Sequence, residues 1–472
     1  MNINLSNKPT KTIPQKFSFF TEEIWTTEKV NFAKNLEHNF SAKKNETFVL
    51  MEDDSVHYLI GLGENPKPFE VQNICSKFSY DFRKKIQPTA TLANTNQLKV
   101  ELIYEIIKGL FLGTYSYPFK AEHPVLNEKF NLILDKVSTK ILKEIETETN
   151  AICEGQFNCM EWLNKPQNFK RVPQISEYLK EISKKYGFKL SVFDRKKSEK
   201  LGLGAFLAVN QGSSQDAAFT IIEYICGKKN AKTVGLVGKC VLFDTGGISI
   251  KPSENLHYMK SDMGGATAVI GTLIAAAEKK LPVNIVVVLP ITDNAVSNDS
   301  YIPSDVITAY NGKTIEILNT DAEGRMTLAD GLSYLAKNYK TDVLIDLATL
   351  TGSSVRMFGY TCGAYFSNND TLKKSLETSA DKTNQRLWNL PLWDVWVEDF
   401  KSDVADFKNI SSKPFGDCIV AGKFLEQFIE GHPNWAHLDI AGVAFGNVQY
   451  MKEKGATGYG VQLLVDFLEN IS

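Results

Sequence analysis

From about residue 166 onward the chain alternates short, almost wholly apolar runs with segments of helical spacing, and this alternation restricts the possible folds more than any other feature. Candidate strands are KLSVFD, FLAVNQGS, FTIIEYI, TVGLVGKCVLFD, NIVVVLP, TIEILNT, DVLIDLATL and WAHLDIAG; candidate helices include VPQISEYLKEISKKYG, ATAVIGTLIAAAEKK, RMTLADGLSYLAKNY and GVQLLVDFLEN. Runs rich in Val, Ile and Leu suit strands buried on both faces, so the expected fold is α/β, with a mostly parallel central sheet flanked by helices. Sites in such sheets collect beyond the carboxyl ends of the strands.

The preceding stretch has a different rhythm. FVLMEDDSVHYLIGLG (48–63) reads as a hairpin and LKVELIYEIIKGLFLGTYSY (98–117) has helical spacing, which together suggest a small α/β domain. FNLILD then gives way to VSTKILKEIETETNAICEGQFNCMEWLN, a long helical pattern that stops near Pro166. The expected division is an N-terminal α/β domain over 1–136, a linking helix over 137–165 and a larger C-terminal domain over 166–472, in keeping with 472 residues at 43% hydrophobic content.

Composition removes several classes of function. With 53 basic and 55 acidic residues the formal charge is −2, too little to create a field that favours nucleic acid or an anionic membrane. The opening MNINLSNKPTKTIPQKF lacks the apolar core of a secretion signal and no run approaches 18 apolar residues, so a cytoplasmic protein is expected. Seven scattered cysteines without a CxxC pair read as reduced, mostly buried thiols. Six histidines form no HExxH or HxxxH pattern, so any metal must rely on other ligands.

Two charged segments fall where strands end. In NTDAEGRMTLADG, Asp321, Glu323 and Arg325 lie between a strand-like run and a helix-like one, and alternation would turn both carboxylates to one side. Read alone, Asp321 caps the helix and Glu323 pairs with Arg325. In VGKCVLFDTGGISIKPSENLHYMKSDMGG, Lys239 and Asp244 flank a buried strand, Gly246 and Gly247 permit a tight turn, Lys251 follows, and Asp262 precedes a helix. Read alone, this segment gives a Lys239 to Asp244 ion pair and an Asp262 cap. If the segments converge, Asp244, Asp262, Asp321 and Glu323 sum to four negative charges, which two divalent cations would neutralise. Oxygen ligands of this kind suit Mg²⁺, Mn²⁺ or Zn²⁺.

KCVLFDTGGISIK, MKSDMGG and NTDAEGR, in this order, resemble the leucine aminopeptidase family of dinuclear cytosolic metallopeptidases. The similarity continues through DLATLTG (346–352), KSDVADFKNI (401–410), WAHLDIAG (435–442) and KGATGYGV (454–461), and so covers 160–472, while 1–95 match only loosely. The resemblance implies two divalent ions per subunit, Zn or Mn with Mg or Co as alternatives, held by Lys239, Asp244, Asp262, Asp321 and Glu323. Asp244 and Glu323 would bridge both ions, Lys239 and Asp262 would complete the tighter site, and Asp321 the more exchangeable one. It further implies Lys251 as the electrophile and Arg325 as the holder of a bicarbonate acting as general base. Met259, Thr349 and Gly352 would line the specificity pocket, the Leu350 backbone would contact substrate, and Lys251 and Asp262 would touch it too. The implied activity is release of N-terminal residues, apolar and leucine-like, from peptides with a free amino terminus, by a homohexamer.

Cys240 stands where the family usually has glycine and Thr245 where serine is common. Alternation points Cys240 away from Lys239, which makes it a buried spectator thiol. Ala444 is small enough to leave room for a large first residue, or is ordinary core. Two other readings compete. Phe243-Asp244-Thr245-Gly246 spells the apolar-D-T-G of aspartic proteases, but the second copy such a chain needs is missing. A binding protein that kept the fold is the other, since some family members bind DNA; every residue expected to act is present, however, and no basic cluster stands out.

Overall fold

A computed structural model, describing residues 2–8, 15–32, 39–52, 55–117, 129–134 and 137–472, turns both patterns into sheets. The chain divides into two units, Met1–Glu154 and Gly155–Ser472. In the first, β1 (Asn2–Ser6), β2 (Gln15–Thr21), β3 (Thr47–Glu52), β4 (Ser55–Gly63), β5 (Thr89–Leu92) and β6 (Lys129–Leu134) pair in the order β1-β6-β5-β2-β4-β3. Among the described residues only the β3/β4 pairing of this sheet is antiparallel. Phe17, Tyr58 and Phe78 meet edge to face at 5.4–5.6 Å between ring centres and fill the core beneath it. The helix expected between the domains runs Thr139–Asn164, and the division between units falls inside it, after Glu154.

The second unit holds β7 (Lys189–Phe193), β8 (Ala218–Tyr224), β9 (Thr233–Gly238), β10 (Cys240–Asp244) and β11 (Asn284–Asn294). After the short β12 (Val306–Thr308) and β13 (Thr314–Glu316) come β14 (Val343–Ala348), β15 (Gly363–Ser367), β16 (Leu387–Asn389), β17 (Phe407–Lys408) and β18 (Trp435–Asp439). The large sheet runs β16-β15-β18-β14-β9-β11-β8-β7, with β10 added to the far end of β11. The four central strands β18, β14, β9 and β11 are mutually parallel, and the antiparallel pairings lie toward the flanks. This is the expected mostly parallel sheet, buried by helices that include Gly264–Glu278 and Glu323–Asn338.

TVGLVGKCVLFD is two strands because Lys239 interrupts it. Its N–H donates to Leu347 O at 3.0 Å while its carbonyl accepts from Ala266 N–H at 3.0 Å, so the chain leaves β9 and re-forms against the end of β11 as β10. The approach of the following helix requires glycine, since a Cβ on Gly265 would lie 1.9 Å from Leu347 O. Asp262 is thereby carried to the carboxyl end of β9.

FLAVNQGS is not a strand: Gly204–Asn210 is a helix with every residue from Ala205 to Asn210 buried. A short all-apolar run has the same pattern in a buried strand and a buried helix, and here tertiary contacts decide. The Asp330 carboxylate accepts from Phe206 N–H at 2.8 Å and Gly204 packs against Thr308 O. TIEILNT contributes only β13, which pairs with β12 and β17 in a separate patch. The edge strand β16 and its neighbour β15 carry no strong alternation and lie outside the expected set.

Lys170 is fully buried beside the site. Its ammonium donates to Trp162 O at 3.3 Å, to Leu163 O at 3.4 Å and to Lys260 O. The first two are carbonyls at the C-terminal end of helix Thr139–Asn164, which lack intrahelical donors and favour a cation. Burial, then the nearby Lys260, pulls its pKa down to about 7. The unfolded lysine titrates near about 10.4, so between these values the unfolded chain holds the extra proton and stability rises with pH. Lys170→Met should be less stable throughout, because the carbonyls around Nζ lose their donor, and should lack this rise. Urea midpoints of both proteins between pH 7 and 10 test this: the gap should widen with pH, and a constant gap would refute it.

Candidate functional site

The two charged segments meet at the carboxyl ends of β9, β10 and β11. Lys239 reaches inward and its Nζ lies 2.7 Å from Asp262 Oδ1, 2.9 Å from Glu323 Oε1 and 2.9 Å from Thr349 O. All three charged groups are buried. Glu323 opens helix Glu323–Asn338, where the helix dipole favours a carboxylate. Asp262 ends the short 3₁₀ helix Leu256–Ser261, which carries Met259, and also accepts from Thr349 Oγ1 at 2.9 Å. Thr349 and Ala444 both lie against Gly264.

Asp244 closes β10. Its Oδ1 accepts from Gly246 N–H and from Asn294 Nδ2, each at 2.8 Å, and its Oδ2 faces Lys251 Nζ at 2.8 Å. Lys251 also pairs with Asp321. The turn between them needs glycine: Gly246 has φ +89°, and a Cβ there would approach Ser249 O to 2.6 Å. Thr320 locks the NTDAEG loop onto this turn, donating to Gly246 O at 2.7 Å and accepting from Ser249 N–H at 2.8 Å.

The local pairings suggested by the sequence give way to longer-range ones. Lys239 pairs with Asp262 and Glu323 rather than Asp244, because β10 carries Asp244 away from it. Neither Asp321 nor Asp262 caps a helix; Ala322 and Met263 occupy the cap positions without side-chain bonds. Glu323 meets Lys239, and Arg325 turns elsewhere, donating from Nη1 to Asn409 O at 2.9 Å and from Nη2 to Asp417 Oδ1 at 3.2 Å. Cys240 is buried, and burial pushes its thiol up.

Four carboxylates thus face two ammonium groups, an excess of two negative charges in a mostly dry place. Burial, then the Glu323 charge, pushes Asp244 up to about 7 against the pull of Lys251. Burial also raises Asp262 and Asp321. Burial works against Glu323 too, yet Lys239 and Lys251 hold it below its usual range. Burial opposes the charge on both lysines, but Asp262 and Glu323 raise Lys239, and Asp244, Glu323 and Asp321 raise Lys251. Ligand oxygens of Asp244, Asp262 and Glu323 lie within 4.8 Å of one another, the spacing a shared cation needs. Asp262 Oδ2 is buried with no hydrogen-bond partner among the described residues. A hard, oxygen-rich donor set with an orphaned buried oxygen fits divalent cations.

Several supporting residues lie outside the two charged segments. Asn294, at the end of β11, was detectable as a strand-end polar residue. Asp439 ends β18 in WAHLDIAG and organises the loop after β14: its carboxylate accepts from Leu350 N–H at 3.2 Å, Thr351 N–H at 3.1 Å and Thr351 Oγ1 at 2.6 Å. That loop supplies Thr349, Leu350 and Gly352.

Comparison with known proteins shows what the chain is similar to. The family described as "Cytosol aminopeptidase family, catalytic domain" matches residues 158–465. A protein named "Probable cytosol aminopeptidase" from Chlorobium limicola is 42% identical over 377 residues, 78% of this chain and 75% of its own. One of the same name from Chlorobium phaeobacteroides is 35% identical over 455 residues, 91% of this chain and 90% of its own. Among solved structures, a tomato leucine aminopeptidase mutant superposes with a TM-score of 0.87 at 27% identity, covering 100% of this chain and 96% of that one. The bottromycin maturation enzyme BotP in complex with Mn gives 0.87 at 26% identity, covering 98% of this chain and 100% of that one.

Asp439 provides a test of how the loop is held. Asp439→Asn should replace one of the two acceptor oxygens by an NH2 donor facing an N–H group and cost about 1–3 kcal/mol. Hydrogen exchange should quicken at Leu350 and Thr351 while the β14 amides keep their protection. Unchanged exchange at those two amides would show that the carboxylate does not hold the loop.

Proposed function

Because this chain belongs to the cytosol aminopeptidase family, whose members are metal-dependent hydrolases, we propose that it releases N-terminal residues, apolar and leucine-like, from peptides by two-metal hydrolysis. The observation that carries this proposal is the buried Asp244, Asp262 and Glu323 cluster with its orphaned oxygen, extended to Asp321 through Lys251. Lys239, Asp244, Asp262, Asp321 and Glu323 hold the two ions, with Zn or Mn favoured by the family and Mg or Co as alternatives. Arg325 holds a bicarbonate. When bound, the ions supply Lewis-acid activation of water and of the scissile carbonyl, and the bicarbonate supplies a general base.

The chain's own residues divide the remaining work. Lys251 keeps its proton among three carboxylates, so its ammonium stabilises the negative oxygen that develops on the carbonyl. Lys239 meets Asp262 and Glu323 as an ammonium, and holding an ion requires it to release that proton. The carboxylate of Asp262 pairs with the substrate's terminal ammonium, which measures the chain end. Met259, Thr349 and Gly352 line the pocket for the first side chain, and the Leu350 backbone contacts the peptide. Catalysis is assigned to residues 166–472, with 1–136 as an accessory α/β domain and 137–165 as the linking helix. Assembly as a homohexamer and a cytoplasmic location complete the proposal; exposed Trp388, Trp393 and Phe415 offer apolar surface for assembly, and the relatives' names fit the location.

If Asp262 reads the terminal ammonium, N-acetylation of a leucyl peptide should abolish cleavage in a chromatographic assay; efficient hydrolysis of the capped peptide would sink the exopeptidase assignment. The two lysines should separate under mutation. Lys239→Ala should lose metal stoichiometry after dialysis, with partial rescue by excess metal. Lys251→Ala should retain both ions and lower kcat by roughly 10²- to 10³-fold, the scale for one oxyanion-stabilising group. Metal analysis decides, and the reverse pattern would overturn the roles.

A further inference from the structure

Arg325 is a buried guanidinium with an unfinished hydrogen-bond set. Its side chain is 4% exposed; Nη1 is used by Asn409 O and Nη2 by Asp417 Oδ1, while Nε has no hydrogen-bond partner among the described residues. Nε and Nη2 form one edge of the fork, the edge that binds a planar oxyanion through two parallel bonds. Asp417 therefore takes one half of a two-point anion site and leaves the other half empty. Its second oxygen accepts from Ser353 Oγ at 3.1 Å, beside the pocket residue Gly352. The Asp417 side chain is 43% exposed, so it can leave the guanidinium for solvent at small cost.

We propose that Asp417 is a resident competitor for the anion site of Arg325: a small planar oxyanion of the bicarbonate class binds across Nε and Nη2 by displacing the Asp417 carboxylate. This rests on the assignment of Arg325 as the bicarbonate holder. The competition has two physical parts. Asp417 occupies Nη2 directly, and its charge neutralises the guanidinium that would otherwise attract an anion into a site already rich in carboxylates. Occupancy then depends on bicarbonate concentration, and the enzyme holds its general base only where the anion outcompetes the chain's own carboxylate.

The test is a ¹³C NMR titration of labelled bicarbonate into zinc-loaded protein, with peptide hydrolysis in carbon dioxide-depleted buffer as a parallel readout. Asp417→Asn keeps the size of the side chain and removes its charge. It should lower the bicarbonate Kd by roughly tenfold, the scale of one partly exposed charge-assisted hydrogen bond, and lower the half-activating bicarbonate concentration in step. Asp417→Ser should do the same, and Asp417→Glu should stay near wild type. A Kd in both neutral variants equal to that of wild type would overturn the competition while leaving the Arg325 assignment intact. Arg325→Gln separates the two ideas: if it binds bicarbonate as wild type does, the assignment fails and the competition fails with it.

Discussion

The contact on which the site depends is the Lys239 ammonium between Asp262 and Glu323. These charges come from the end of β9, the end of a 3₁₀ helix and the start of an α-helix, all out of water. A buried ion pair of this kind is poor evidence for stability, since desolvation consumes much of the attraction. Adding Asp244 and Asp321 with Lys251 makes the balance worse, because the excess of carboxylates over ammonium groups rises from one to two. The fold must therefore spend other interactions to hold the cluster together. Gly265 lets a helix start against Leu347, Asn294 and Gly246 N–H hold Asp244, and Thr320 ties the NTDAEG loop to the turn after β10.

What the sequence disclosed follows from which forces are local. The central strands were legible because burial on both faces leaves an uninterrupted apolar run, and the charged residues at their ends were legible because buried charge is rare. Pairings were not. Lys239 and Asp244 looked like natural partners, but partners are set by where β10 runs after the chain breaks from β9. Asp439 and Asp417 act on residues far away in the chain, as the separations of 88 residues to Thr351 and 92 residues to Arg325 show, and no local pattern encodes such contacts. FLAVNQGS failed for a related reason: its apolar content reported burial, while the choice of helix was made by Asp330 and the packing of Gly204.

Asp244 shows how the same chemistry is made directional. Both donors from the fold, Gly246 N–H and Asn294, approach Oδ1, and Lys251 approaches Oδ2. One oxygen is thus committed to the scaffold and the other to a charged group of the site. Asp262 differs, with Oδ1 bound by both Lys239 and Thr349 and Oδ2 buried without a hydrogen-bond partner among the described residues. A carboxylate held through one oxygen is oriented and keeps its other oxygen open, which suits a cation.

The same economy explains why NTDAEGR gathers its charges into five residues. Asp321 precedes the helix, Glu323 begins it and Arg325 lies in its first turn. Asp321 and Glu323 face Lys251 and Lys239, whereas Arg325 faces Asn409 and Asp417. One helix start therefore separates a cluster of excess negative charge from a buried guanidinium. Had Glu323 paired with Arg325, as their spacing alone suggests, each would have satisfied the other and neither half would exist. Lys239 engages Glu323 instead, so Arg325 turns to Asn409 and Asp417 and keeps an Nε without a hydrogen-bond partner among the described residues.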